Sequence, residues 1–193
     1  MEPIEPTEPA LPMVPMSPME PIVPAAQSMR QFFHDIVSRY YPVYTGLSNS
    51  ELMDYIADLL TRFTTAENLY RIRDSSGRAL RGMGEMLAAS DPVHGSAPSF
   101  DAERAMRRHI GDFALFSAGM YPEAVGRRGG YADSSLVEMV RTGKESYYIV
   151  SKFDLFEYER EAPLFARLSG EFERCMYGLT KVRKELDGMG AMR

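Results

Sequence analysis

The sequence predicts an all-α fold: an antiparallel helical bundle of five to six helices behind a Pro-rich extended N-terminal tail. Three observations predict it. From Ser28 onward, apolar residues recur with a period near 3.6, the repeat of one helix face. No stretch keeps the apolar–polar alternation of a half-buried strand. Before Ser28 the repeat is three residues, and it is made of proline. At 193 residues, 45% hydrophobic and 25% charged, the chain suits one ordinary domain plus a tail. We assign residues 1–27 to the tail and 28–193 to a helical bundle domain.

The tail comes first. Pro3, Pro6, Pro9, Pro12, Pro15, Pro18, Pro21 and Pro24 recur at every third residue. Proline fixes φ near −65° and removes an amide donor, which leaves neither helix nor central strand. Polyproline II has three residues per turn, so the prolines line one edge of such a rod. A second edge reads Ile4, Thr7, Ala10, Met13, Met16, Met19, Ile22 and Ala25, and is largely apolar. The third carries Glu2, Glu5, Glu8 and Glu20 among Leu11, Val14, Ser17 and Val23. Fully extended, the segment reaches on the order of 65–70 Å. Such a composition is a solvated spacer, or a preformed strip that docks on an aromatic groove. It lacks the basic start and the unbroken apolar stretch of a secretory signal, and the arginines of a transit peptide.

In the body, a first helix near 28–41 groups Met29, Phe32, Phe33, Ile36, Val37 and Tyr40 on one side and stops at Pro42. A second, from about 49 to 63, buries Leu52, Ile56, Leu59, Leu60 and Phe63; Ser48 and Glu51 have capping-box spacing. A third starts at Thr65. Leu69, Ile72, Ser76, Leu80, Met83 and Leu87 fall within roughly 60° on a helical wheel, which predicts one helix to Ala89 despite Gly77, Gly82 and Gly84. Residues 90–98 read as a loop. A fourth helix runs from Ser99 to about Gly119. Met106, Ile110, Phe113, Phe116, Ser117 and Met120 face inward, with Arg104, Arg107 and Arg108 opposite. A fifth opens at Asp133 or Ser134 and buries Leu136, Met139, Val140, Tyr147 and Val150. Pro163 suits the first turn of a last helix, striped by Leu164, Leu168, Phe172, Cys175, Leu179, Val182 and Leu186 and capped by Gly188.

Composition excludes several functions. One cysteine forms no intrachain disulfide, and three histidines with that cysteine make a poor zinc set. No apolar run approaches the roughly 18–20 residues of a membrane span. The net charge is −5, and four acidic but no basic residues lie in 1–27, so the body is nearly neutral. That argues against nucleic acid as a partner, although Arg71, Arg73, Arg78, Arg81, Arg104, Arg107 and Arg108 are numerous. The Glu-x-x-His pair of a di-iron bundle is absent from both His34 and His109.

Candidate site residues are few. His109 has Asp112 three residues later, a spacing that could hold an imidazole tautomer for acid–base work or ligation. Arg127 and Arg128 sit in a glycine-rich loop suited to an anion. Cys175 lies within an apolar stripe and reads as a core thiol. Tyr40-Tyr41 and Tyr147-Tyr148 supply aromatic surface of the kind proline strips seek. The run from His109 to Glu123 (HIGDFALFSAGMYPE), followed by Gly143-Lys-Glu-Ser-Tyr147, resembles a pattern in bacterial proteins of unknown function. The resemblance implies that Gly111, Asp112, Gly119, Pro122 and Glu123 belong to one unit joining the fourth and fifth helices; it implies no activity. The expectation is a cytoplasmic, non-enzymatic protein without cofactor or metal. It binds a protein partner or a second copy, and Met13, Met16, Met19 and the prolines are its interaction tail. The alternative is a helical small-molecule or cofactor-binding protein, even an enzyme, centred on His109 and Asp112.

Overall fold

A computed structural model describes residues 25–91, 93–95, 97, 99–125 and 135–191. The tail through Pro24, Arg127 and Arg128 lie outside the described residues. Among those described, all regular structure is helical, in eight α-helices rather than the five to six expected, with no strand and no helix long and apolar enough to cross a membrane.

Helix α1 spans Ala25–Thr45 and contains Pro42. The expected stop at Pro42 does not occur. A proline withholds its own N–H, but its carbonyl still accepts from the Gly46 N–H at 3.1 Å. The helix ends instead at Gly46, whose φ of 67° closes it. Met29 and Phe32, expected inside, are exposed, while Phe33, Ile36 and Val37 are buried. Helix α2, Ser50–Arg62, is capped by Asn49 rather than Ser48: the Asn49 side chain accepts from the Leu52 N–H at 2.9 Å.

The single helix expected from Thr65 to Ala89 is not there. Its place is taken by α3, Ala66–Leu69, then a hairpin-like loop, then α4, Met83–Ser90. The Asp74 carboxylate captures the chain locally. It accepts from the Ser76 N–H (2.9 Å), the Ser76 hydroxyl (2.6 Å) and the Arg78 N–H (3.0 Å). Side-chain bonds of this kind compete directly with helix. Gly77 takes φ 85°, and Arg73 and Ala79 form an isolated antiparallel bridge. Leu69, Ile72, Leu80 and Met83 are nevertheless buried. The turn folds inward the same side chains that a helix would have aligned, and Ser76 alone of the inner stripe is left on the outside.

Helix α5, Phe100–Met120, starts at the Ser99 cap, whose hydroxyl accepts from the Ala102 N–H at 3.2 Å. A single 3-10 turn, Pro122–Ala124, follows it. Helix α6, Leu136–Ser151, opens on a capping box in which Ser135, not Asp133 or Ser134, pairs with Glu138. Leu136 is consequently exposed on the first turn, against expectation. The last stripe belongs to two helices, α7 (Ala162–Gly170) and α8 (Phe172–Ala191), that break at Glu171. Leu164, Leu168, Phe172, Cys175, Leu179 and Val182 are all buried across that break. Helix α8 runs through Gly188, which therefore caps nothing.

Helix α5 is the axis, buried on every side from His109 to Met120. Helix α6 packs antiparallel to it at glycine contacts. A Cβ on Gly111 would lie 2.6 Å from the Tyr147 ring, and one on Gly143 would lie 2.8 Å from Ala114. Helix α8 packs on α5 at Gly119, whose carbonyl accepts from the Thr180 hydroxyl at 3.1 Å. Helices α1 and α2 form an antiparallel pair tied by Arg30 to Asp58 and by His34 to Asp54 (3.2 Å). The Tyr41 hydroxyl, deep between α1 and α8, donates to the Cys175 carbonyl at 2.9 Å.

Candidate functional site

Helix α5 carries Arg104, Arg108 and Asp112 at successive four-residue steps, so all three lie along one strip. Asp112 is fully buried. Its Oδ1 accepts from the Tyr55 hydroxyl of α2 at 2.5 Å and from the Tyr147 hydroxyl of α6 at 2.8 Å. Its Oδ2 accepts from Arg62 Nη1 at 3.0 Å. Arg108 Nε donates to the Tyr55 hydroxyl at 3.4 Å, which closes a chain of donors running toward the carboxylate. A buried carboxylate is tolerable only when it is so paired.

The surrounding groups are tuned to this role. Burial first, and then the Asp112 charge, push the Tyr55 and Tyr147 hydroxyls well above their ordinary pKa, so both remain protonated donors. Burial works against the Arg62 charge, but Asp112 and Tyr55 outweigh it and raise its pKa. Arg104 is buried rather than facing solvent opposite the stripe. Its Nη2 donates to Glu161 at 2.8 Å, and its guanidinium lies 3.9 Å over the Tyr158 ring. Arg108 sits 3.6 Å from the same Glu161 and 5.3 Å over the Phe165 ring. Planar guanidinium on aromatic faces is the arrangement arginine favours when partly dehydrated.

His109 and Asp112 share the helix but hold different partners. His109 Nε2 lies 3.1 Å from the Leu69 carbonyl, with the ring edge-on to Phe63 at 5.8 Å. That bond makes Nε2 the donor and leaves Nδ1 with a lone pair, buried without a partner among the described residues. Burial, with Arg71 nearby, pulls the imidazole pKa down to about 4, so it is neutral at pH 7. Arg62 Nη2 is likewise buried and unpartnered among those residues. A cleft of about 340 Å³ lies beside the cluster, lined by Arg71, Ile72, Arg73, Ala102, Ala105 and Met106; neither His109 nor Asp112 lines it. Among the described residues no group of three or more His, Cys, Asp or Glu side chains is placed to hold a metal ion.

The aromatic candidates divide in two. Tyr41 and Tyr147 point into the core, whereas Tyr148 is exposed and Tyr40 stacks on Tyr44 at 5.8 Å. Burial pushes the Cys175 thiol up to about 12, the behaviour of an unreactive core sulfur. At the C-terminal end of α5 lies a second concavity of about 150 Å³, lined by Phe33, Leu60, Phe63, Thr64, Phe116, Met120, Tyr121 and Leu186. Sequence reasoning missed Tyr55, Arg62, Arg108 and Glu161 as partners of the buried polar strip. The one signal available was the Arg104–Arg108–Asp112 spacing, which also describes an ordinary solvated face.

No known protein family, curated protein or solved structure matches this chain.

Proposed function

We propose that this chain is a cytoplasmic, non-enzymatic helical binding protein, a bundle that presents a proline-phased strip to a protein partner or a second copy of itself. One observation carries the reading: the most concentrated set of ionisable groups is spent on holding helices together. Both Asp112 oxygens are occupied by Tyr55, Tyr147 and Arg62, and the carboxylate is closed off from solvent. A general acid or base needs reach to a substrate proton, and this group has none. The regular apolar edge of Met13, Met16 and Met19 beside the prolines then becomes the chemistry on offer. The test is deletion of residues 1–24, followed by sedimentation and by binding of purified candidate partners. Loss of association is expected; association unchanged by the deletion overturns the reading.

A second reading, a small polar ligand held at the Asp112 cluster, is favoured by Arg62 Nη2 and His109 Nδ1, which have no partner among the described residues. Native mass spectrometry and an absorption spectrum of the purified protein separate the two readings. A bound compound lost in a stable His109→Ala variant supports the second.

A further inference from the structure

The concavity at the end of α5 is walled by rings. Phe63 meets Phe116 edge-on at 5.1 Å, Phe116 meets Tyr121 at 5.8 Å, and Phe33 closes the α1 side. Its remaining walls are Leu60, Met120 and Leu186, with Thr64 at the rim. Exposed Met29 and Phe32 continue the apolar surface along α1 back toward Ala25, where the proline-phased segment joins the bundle. We propose that this groove is the docking site of the chain's own residues 13–22, which fold back so that Met19 enters it and its neighbours on the same edge, Met16 and Ile22, flank it.

Three features support this occupant over others. The first is reach. Phe33 lies eight residues into α1, about 12 Å from its start at 1.5 Å per residue. A polyproline segment covers that in about four residues at 3.1 Å each, so a short turn just before Ala25 brings Met19 level with Phe33. The second is chemistry. An aromatic-walled slot of about 150 Å³ suits a single flexible, polarisable side chain, and residues 13–22 carry methionine on one edge and a single charge, Glu20, on another. Thioether contacts with ring edges are favourable. The third is concentration. A segment tethered this closely meets the groove at roughly millimolar effective concentration, far above that of a separate copy in dilute solution. The consequence is regulatory. A partner that takes the strip uncovers the ring-lined groove, and one that takes the groove frees the strip.

This inference rests on the reading of the tail as a docking strip, and the test separates the two. A Ser17→Cys substitution in the full chain places a nitroxide on the tail; Cys175, buried with its thiol pushed up to about 12, does not compete for the label. The readout is the methyl spectrum of Leu60, Met120 and Leu186. Loss of those signals is expected, unchanged on dilution and restored when Met16, Met19 and Ile22 are replaced together by Asp, changes that lie outside the bundle. Signals that stay intact overturn the inference, as do signals whose loss fades with dilution, since the occupant is then another copy. In either case the strip reading stands or falls on whether the triple variant still associates with its partner.

Discussion

The two halves of α5 solve the same burial problem with opposite chemistry. From Arg104 to Asp112 the helix buries charge, and every charged group there meets a counter-charge, a hydroxyl or a ring face. From Phe113 to Met120 it buries hydrocarbon, with Ser117 the one polar side chain, and ends against a partly open aromatic slot. The polar half is directional: removing one partner strands the others. The apolar half is additive and tolerates a gap at its end. A polar network therefore acts as a lock on helix register, whereas an apolar end can stay available to a ligand.

The largest effect should come from breaking the lock. Asp112→Ala leaves two tyrosine hydroxyls and the Arg62 guanidinium facing each other without an acceptor, and should cost about 3–5 kcal/mol in urea unfolding. Asp112→Asn, which keeps the shape, should recover only part of this.

Next is the pH response of His109. Its folded-state pKa of about 4 lies below the ordinary 6.5. As pH falls through 6.5 the unfolded chain takes up a proton that the native imidazole refuses until about 4. Stability from this group is thus full above 6.5, declines between 6.5 and 4 by up to about 3 kcal/mol, and levels off below. Urea midpoints measured across that window should show the slope, and His109→Gln should flatten it.

A third comparison sets Gly111→Ala in the polar half against Gly119→Ala in the apolar half. Each new Cβ would fall 2.6 Å from a neighbour, Tyr147 in one case and Leu179 in the other. Each should cost about 1–3 kcal/mol by overpacking. Thermal melts showing one of them neutral would mean that the two halves are not equally tight.

Smaller still is Gly77→Ala in the loop after α3. Open space surrounds it but φ is 85°, so strain alone should cost about 1 kcal/mol. Smallest is Arg30→Ala, which removes an exposed pair with Asp58 and should shift stability by less than about 1 kcal/mol.

Most helices were legible because their signals are local. Ser99 caps α5 and Pro163 opens α7, as their spacings predict. The loop at 70–82 misled for an instructive reason. Its apolar spacing is that of a helix, but Asp74 offers the backbone a competing set of bonds, and a wheel diagram does not weigh that competition. The candidate site was legible only as His109 and Asp112. Their true partners come from residues 55, 62, 69 and 147, distant in the chain.

By itself, then, the order of residues determined the helical class, the proline period of three, and most of the apolar stripes that are buried, though not Tyr41, Tyr55, Met86, Leu115 or Phe165. Hydrophobic burial is non-directional and is written in short-range periodicity. Tertiary structure alone decided that Arg104 goes inside, that Asp112 is shared by three helices, and that an aromatic slot stands open near the start of α1. Each depends on which helix faces fall within hydrogen-bonding distance, a relation among segments that no window along a single segment contains.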